Sequence, residues 1–352
     1  MTQEIITLAH GSGGHAMQQL IEQEIMAVFA NPLAPANQAT EDQARVPLSL
    51  LQAHSNGMGG QLAMTTDSFV IDPIFFPGGD IGSLAVNGTV NDLAVGGAKP
   101  LYLSCGLILE EGLPISDLRK ILQSMRRAAD DAGVAIITGD TKVVNKGCAD
   151  KIFINTCGVG VIPSNIQLSV KNIRVGDVLL INGSLGDHGA TIMAMRGDLG
   201  IDKGAIRSDC NGLNEQIQAL LEACPGIRCM RDATRGGIAA ILNEFAQSGK
   251  VKIQLKEDSL PLKAEVRGLC ELLGLDPLYL ANEGKFVAIL PEAEAQAGLT
   301  ALQSFSEAKN AAIIGRVLEP ETSMAPVLTM RNAFGSERLI DVPYGEQLPR
   351  IC

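Results

Sequence analysis

From residue 61 onward, extended and helical hydrophobic patterns alternate, stop at residues 162–176, and resume as far as residue 330. This repeated alternation is the grammar of mixed sheets covered by helices, an α/β or α+β architecture. In the first stretch, residues 62–66 read as extended, 81–95 as helical, 101–109 as extended, and a helix opens at Pro114. That helix carries Leu118, Ile121, Leu122, Met125, Ala128, Ala129 and Ala132 at helical spacing, a single stripe that must face a core. Strands at 134–138 and 152–161 follow. Pro163, Ser164 and Asn165, then a polar Val-Lys-Asn-Ile-Arg segment, break the pattern. Beyond the break come a strand at 178–181, helices near 212–223, 235–248 and 263–273, and strands near 251–255, 286–290, 312–317 and 326–330. With 352 residues and ~150 per domain, the chain divides into two α+β or α/β domains, 1–165 and 172–341, and a tail, 342–352.

Charge and composition remove several classes of function. Twenty-eight basic against 39 acidic residues give a net charge of −11, the wrong sign for neutralising nucleic-acid phosphates, and the absence of Trp leaves no broad stacking platform. The longest apolar stretch, 93–109, is interrupted by Lys99 and Pro100, so no membrane span is expected. The start, Met-Thr-Gln-Glu, has no basic and apolar leader pattern, and the expected location is the cytoplasm. Eight cysteines without a Cys-x-x-Cys, and His10, His15, His54 and His188 without paired spacing, argue for reduced thiols and against structural zinc. Residues 31–61, rich in Ala, Gln, Asn, Pro and Gly, read as an irregular connection after a helix at 14–29.

Four short segments placed at the ends of expected strands carry aspartates: Thr65-Thr66-Asp67, Asn91-Asp92, Gly139-Asp140-Thr141-Lys142, and Asp232 to Gly237. Singly, each Asp reads as a turn former or helix cap. Together they suit Mg²⁺ shared with substrate phosphates, and hence a nucleotide. His10-Gly11-Ser12-Gly13-Gly14-His15 precedes a helix and offers backbone amides to an anion. Neither a Walker lysine motif nor a Rossmann glycine fingerprint is present, so P-loop and nicotinamide chemistry are excluded. The chain ends on a thiol, Cys352, after Pro343, Gly345 and Pro349, residues that forbid a packed helix.

These segments, in this order, resemble the HypE family of hydrogenase maturation proteins, within the superfamily of aminoimidazole ribonucleotide synthetase, selenophosphate synthetase and thiamine-monophosphate kinase. The resemblance runs end to end. It rests on His-Gly-Ser-Gly-Gly at 10–14, Thr-Asp-Ser at 66–68, Phe-Phe-Pro-Gly-Gly at 75–79, Asn-Asp-Leu at 91–93, Leu-Ser-Cys-Gly at 103–106 and Gly-Asp-Thr-Lys-Val-Val at 139–144. It continues through Gly-Asp-His-Gly-Ala-Thr at 186–191, Arg-Asp-Ala-Thr-Arg-Gly-Gly at 231–237, Ala-Asn-Glu-Gly-Lys at 281–285 and Pro-Arg-Ile-Cys at 349–352. Selenophosphate synthetases place a reactive Cys or selenocysteine before Lys in the first segment, where this chain has Ser12, Gly13, Gly14 and His15.

The resemblance implies an N-terminal α+β domain whose sheet forms a β-barrel with that of a second subunit, a C-terminal α/β-sandwich domain, and a flexible C-terminal tail. It implies ATP between the domains, near Gly11, Ser12, Gly13, Gly14, Asn91, Thr141 and Thr234, and Mg²⁺ on Asp67, Asp92, Asp140 and Asp232, with Lys142 beside the phosphates. The implied reaction is ATP-dependent dehydration of a carbamoyl group on Cys352 to a thiocyanate, with Glu283 or His188 taking the N–H proton. Implied partners are a HypF-type carbamoyltransferase and a HypC-HypD complex that receives the cyanide. The alternatives are a small-molecule ATP-dependent synthetase or kinase of the same superfamily, and a non-catalytic carrier. Removing Cys352 separates them.

Overall fold

The computed structural model describes residues 4–12, 15–29, 46, 48–55, 60–197, 204–320 and 326–342. The first sheet is built from β1 (Gln61–Phe69), β2 (Lys99–Glu110), β3 (Ala135–Val144) and β4 (Ile152–Ile162) in the order β1-β4-β2-β3. All neighbours are antiparallel except β2 and β3, which run parallel because helix α2 (Ile115–Ala132) carries the chain between them. The α2 stripe expected from sequence is buried throughout, and Gly133, at φ 67°, ends the helix in the left-handed conformation that lets the chain turn back.

Helix α1 (Ile81–Val95) starts where Asp80 accepts hydrogen bonds from the Gly82 and Ser83 amides and the Ser83 hydroxyl bonds back to Asp80. Its residues are apolar or small on every side, and nearly all are buried, because α1 lies on the sheet and α2 with one flank and meets the second domain with the other. The opposite face of the sheet is left open, with Leu62, Met64 and Ile108 exposed at 58%, 66% and 41%.

The second sheet has seven strands: β5 (Val178–Ile181), β6 (Cys229–Asp232), β7 (Lys252–Lys256), β8 (Phe286–Leu290), β9 (Ala312–Leu318), β10 (Leu328–Arg331) and β11 (Glu337–Leu339), in the order β11-β10-β7-β9-β5-β8-β6. Between β5 and β8 the chain also forms α3 (Asp187–Arg196), α4 (Asn214–Ala223), α5 (Gly237–Gly249) and α6 (Ala264–Leu273). Leu179, Ile181, Val287 and Ile289 face α5, while Val178, Leu180, Ala288 and Leu290 face α4 and α7 (Ala295–Gln303). Both faces are covered, so β5 and β8 are buried end to end, as unbroken apolar runs require. Ala94 and Val95 of α1 belong to this second core and tie the domains together.

Two expectations change. Part of the stretch read as irregular, 31–61, is helical at Leu48–Gln52, and most of the remainder lies outside the described residues. Helices α3 and α7 are additions to that pattern: α3 is buried around most of its girth and shows little apolar-polar contrast, whereas α7 buries only Ala295, Gly298 and Leu302, too few large apolar residues to mark a stripe. Among the described residues no helix is long and apolar enough to cross a membrane.

Candidate functional site

Asp67 lies within β1, and Asp92 in the last turn of α1 rather than at a strand end, because the apolar spacing of 81–95 carries the helix through Asn91 and Asp92. The Thr65 hydroxyl, two residues before Asp67, donates to Asp92 Oδ2 at 2.9 Å and locks the strand to the helix. Asp232 closes β6 opposite Phe286 of β8, and the Ala233 amide donates to the Lys285 carbonyl at 2.8 Å, so the 282–285 loop sits directly beside it. Asn282, fully buried, staples the loop: its amide donates to the Ala233 carbonyl at 2.8 Å and its oxygen accepts from the Gly186 amide at 2.7 Å.

Asp67, Asp92, Asp232 and Glu283 therefore converge on one region where the domains meet, and their charges act on one another. Burial, then the charges of Asp92 and Asp67, push the Asp232 carboxyl up to about 7. Burial and the nearby Asp67 raise Asp92 as well. Glu283 is raised well above the ordinary carboxylate range by burial first, then by Asp209, Asp232 and Asp67. Its Oε1 is buried without a hydrogen-bond partner. A group of like-charged carboxylates that includes one buried oxygen without a partner is costly to hold and favours a hard cation. Among the described residues no three acidic, cysteine or histidine side chains stand close enough to cage a metal alone.

Asp140 and Lys142 are placed elsewhere. They lie inside β3 rather than at its end, and the register pairs them with Gly106 and Ile108, on the open face of the sheet. Asp67, whose neighbour Thr65 reaches α1, is at the opposite edge, about 14 Å away at ~4.8 Å per strand. Asp140 and Lys142 are exposed and pair at 2.8 Å, which holds the Asp140 carboxyl below its ordinary value. Thr141, between them, points to the covered face and is buried.

The glycine-rich segment accompanies this second group. The Gly11 backbone closes on β3 so tightly that a Cβ there would stand 2.7 Å from the Val143 Cβ, and Ser12 caps back to the Ala9 carbonyl at 2.9 Å. Gly13 and Gly14 lie outside the described residues, as does Cys352. The helical stretch 15–29 that follows has a π-helical middle, Leu20–Met26. It leaves a cavity of about 280 Å³ lined by Ile21, Ile25 and Phe29 of this stretch and by Leu107, Ile136 and Gly139–Thr141 of the sheet.

The remaining candidates take structural partners. Asn91 is buried and spends its side chain on the second domain: it donates to the Asn211 carbonyl at 3.0 Å and the Glu283 carbonyl at 3.4 Å, and accepts from the Leu213 amide at 2.8 Å. His188, second residue of α3, is fully buried, with Nδ1 2.8 Å from the Ser208 hydroxyl and the ring against Phe76. Thr234 is half-buried in the turn where Gly236 and Gly237, at φ 77° and 59°, lead into α5. Sequence reasoning passed over Asp209, Lys285 as its partner, and Asn282. Ser-Asp-Cys-Asn-Gly reads as a polar turn, and only the fold shows that it is enclosed.

Family profiles for the AIR synthase related protein match the chain twice, the N-terminal domain over residues 42–162 and the C-terminal domain over residues 174–325. The chain is 51% identical over 349 residues to the carbamoyl dehydratase HypE of Rhodobacter capsulatus, covering 99% of this chain and 98% of that one. It is 52% identical over 347 residues to the carbamoyl dehydratase HypE of Escherichia coli (strain K12), covering 99% of both. Among solved structures, a hydrogenase maturation protein HypE in complex with ATP superposes with a TM-score of 0.88 at 45% identity, over 98% of this chain and 99% of that one. A HypE-HypF complex superposes with a TM-score of 0.77 at 42% identity, over 92% and 99%.

Proposed function

The chain belongs to the HypE family of carbamoyl dehydratases, built on the two AIR synthase related domains, and on that footing we propose that it uses ATP to dehydrate a carbamoyl group on Cys352 to an enzyme-bound thiocyanate during hydrogenase maturation. The observation that carries this reading is the convergence of half-buried Asp67 and Asp92 on buried Asp232 and an unpartnered Glu283 oxygen, beside a relative's fold that binds ATP.

The carbamoyl oxygen is a poor leaving group. Transfer of the γ-phosphoryl to it, with release of a first N–H proton, turns S–C(=O)NH₂ into the imidate phosphate S–C(OPO₃)=NH, which keeps one N–H. Loss of the N–H proton, with departure of phosphate, then leaves S–C≡N. Asp67, Asp92 and Asp232 would hold Mg²⁺, which neutralises charge on the transferring phosphoryl. Glu283 receives the N–H proton. A carboxyl raised by burial and like charges is the stronger base that such a nitrogen needs, and it has an oxygen free to accept. His188 is occupied by Ser208 and serves as scaffold.

The open face of the first sheet, with Leu62, Met64 and Ile108, supports a homodimer closed through that face into a barrel. A twofold arrangement that runs the β1 edge of one copy along the β3 edge of the other would carry Asp140, Thr141 and Lys142 of one copy toward Asp67, Asp92 and Glu283 of the other. The two groups that one protomer keeps apart would then share a site, with Lys142 on the phosphates. A HypF-type transferase supplies the carbamoyl group, in keeping with the HypE-HypF relative, and a HypC-HypD complex takes the cyanide. Residues 342–352 reach ~33 Å when extended, enough for Cys352 to visit both the transferase and the nucleotide. The reaction is assigned to the cytoplasm, where the seven free cysteines of the described residues stay reduced.

Intact-mass spectrometry tests the reading. With carbamoyl phosphate, transferase and ATP, the protein should gain a carbamoyl group and then lose one water, and Cys352→Ala should gain nothing. Turnover of a free small substrate that survives Cys352→Ala would establish the kinase or synthetase alternative instead.

A further inference from the structure

The segment Ser208 to Leu213 has no helix or strand of its own, yet it is gripped from both domains. Its Ser208 amide donates to the Pro77 carbonyl at 2.8 Å and its Ser208 hydroxyl meets His188. Cys210 takes a contact from the Asn87 amide at 3.6 Å, and Asn91 holds both the Asn211 carbonyl and the Leu213 amide. Within this strap Asp209 turns toward the 282–285 loop. Its two carboxylate oxygens accept from the consecutive amides of Glu283 and Gly284, each at 3.2 Å, and Oδ2 also accepts from the Lys285 ammonium at 3.1 Å. Both side chains of the pair are buried, at 3% and 7% exposure. Gly284 makes the approach feasible, since a Cβ there would stand 1.9 Å from the Asp209 carbonyl oxygen.

The consequence falls on Glu283. Its carboxyl has a buried oxygen with no partner, so its aim is not set by a full complement of its own hydrogen bonds. Its main chain is fixed instead: the N–H by Asp209, and the C=O by Asn91 at 3.4 Å. We propose that Asp209 is a positioning residue, clamping the Glu283–Gly284 backbone through paired amides so that the Glu283 carboxyl is aimed at the reacting nitrogen, with Lys285 as the counter-charge that makes a buried clamp affordable. This rests on the reading of Glu283 as the base. The carboxylate keeps its charge because Lys285, His188 and the Glu283 amide outweigh the effect of burial, which holds Asp209 below its ordinary value.

The test uses the full chain carbamoylated on Cys352 by the transferase, with dehydration followed by mass in single turnovers at varied ATP. Asp209→Asn alone strands the Lys285 ammonium, so the informative variant is the neutral pair Asp209→Asn with Lys285→Met, checked for cooperative melting. It should bind ATP with an unchanged half-saturation, yet dehydrate roughly 10–100-fold more slowly, the cost of a misaimed base. In a Glu283→Gln background the same pair should change the residual rate less than twofold, because there is no base left to aim. A wild-type rate in the neutral pair, the same fold loss in both backgrounds, or loss of cooperative melting would each overturn the clamp. Normal dehydration by Glu283→Gln alone would instead overturn the base assignment on which it stands.

Discussion

Asp232, one of the carboxylates proposed to hold a cation, is buried with Asp92 and Asp67 close enough to raise it. Its folded value near 7 lies above the ~3.9 of an unfolded aspartate, so the folded protein binds the extra proton. That contribution is complete below pH ~4 and is lost as the pH rises through about 7. Without divalent cation, the protein should therefore lose roughly 2–4 kcal/mol of stability between pH 4 and 8, part of it through Asp92 and Glu283. Asp232→Asn should flatten that slope and raise stability at pH 8 while weakening Mg²⁺-dependent ATP binding. Urea melts across pH with chelator present, and ATP titrations with and without Mg²⁺, measure the two sides. An unchanged slope in Asp232→Asn would show that the carboxylate is not held against its neighbours.

The glycines of the helices behave as opposites, and the difference lies in what faces them. Gly82, in the first turn of α1, lies against α2, where a Cβ would stand 2.5 Å from the Ile121 carbonyl and 2.7 Å from the Ser124 hydroxyl. Gly82→Ala should push the two helices apart and lower Tm by roughly 3–8 °C, despite the better helix propensity of alanine. Gly268, exposed within α6, has nothing within 4 Å, and Gly268→Ala should raise stability by about 0.5–1 kcal/mol. A thermal melt of each settles the sign. Nothing in the sequence distinguishes them. Where one face is buried, as along α2, the period is plain in the residues themselves, and the same holds for the apolar runs of β5 and β8. Where burial surrounds an element, as in much of α3, contrast vanishes and the element is missed. The candidate site follows the same rule. Asp67, Asp92 and Asp232 stand in recognisable segments, but Asp209 acts from a stretch that looks like any polar turn, and its role exists only once the two domains close on it.

At the scale of the molecule, the first domain completes the second. Asn91 of the first domain and the 208–213 strap of the second both hold the main chain of the 282–285 loop, so neither half fixes the Glu283 backbone by itself. The first sheet, in turn, carries Asp67 and the Asp140–Lys142 pair on opposite edges. If each working centre draws one edge from each copy, inactivating lesions on the two edges belong to different complementation groups. Mixing Asp67→Asn protein with Asp140→Asn protein, each dead alone, and allowing subunits to exchange should restore about one quarter of wild-type turnover, since half of the dimers are mixed and each mixed dimer keeps one intact centre. No recovery after verified exchange would mean that both edges serve their own protomer.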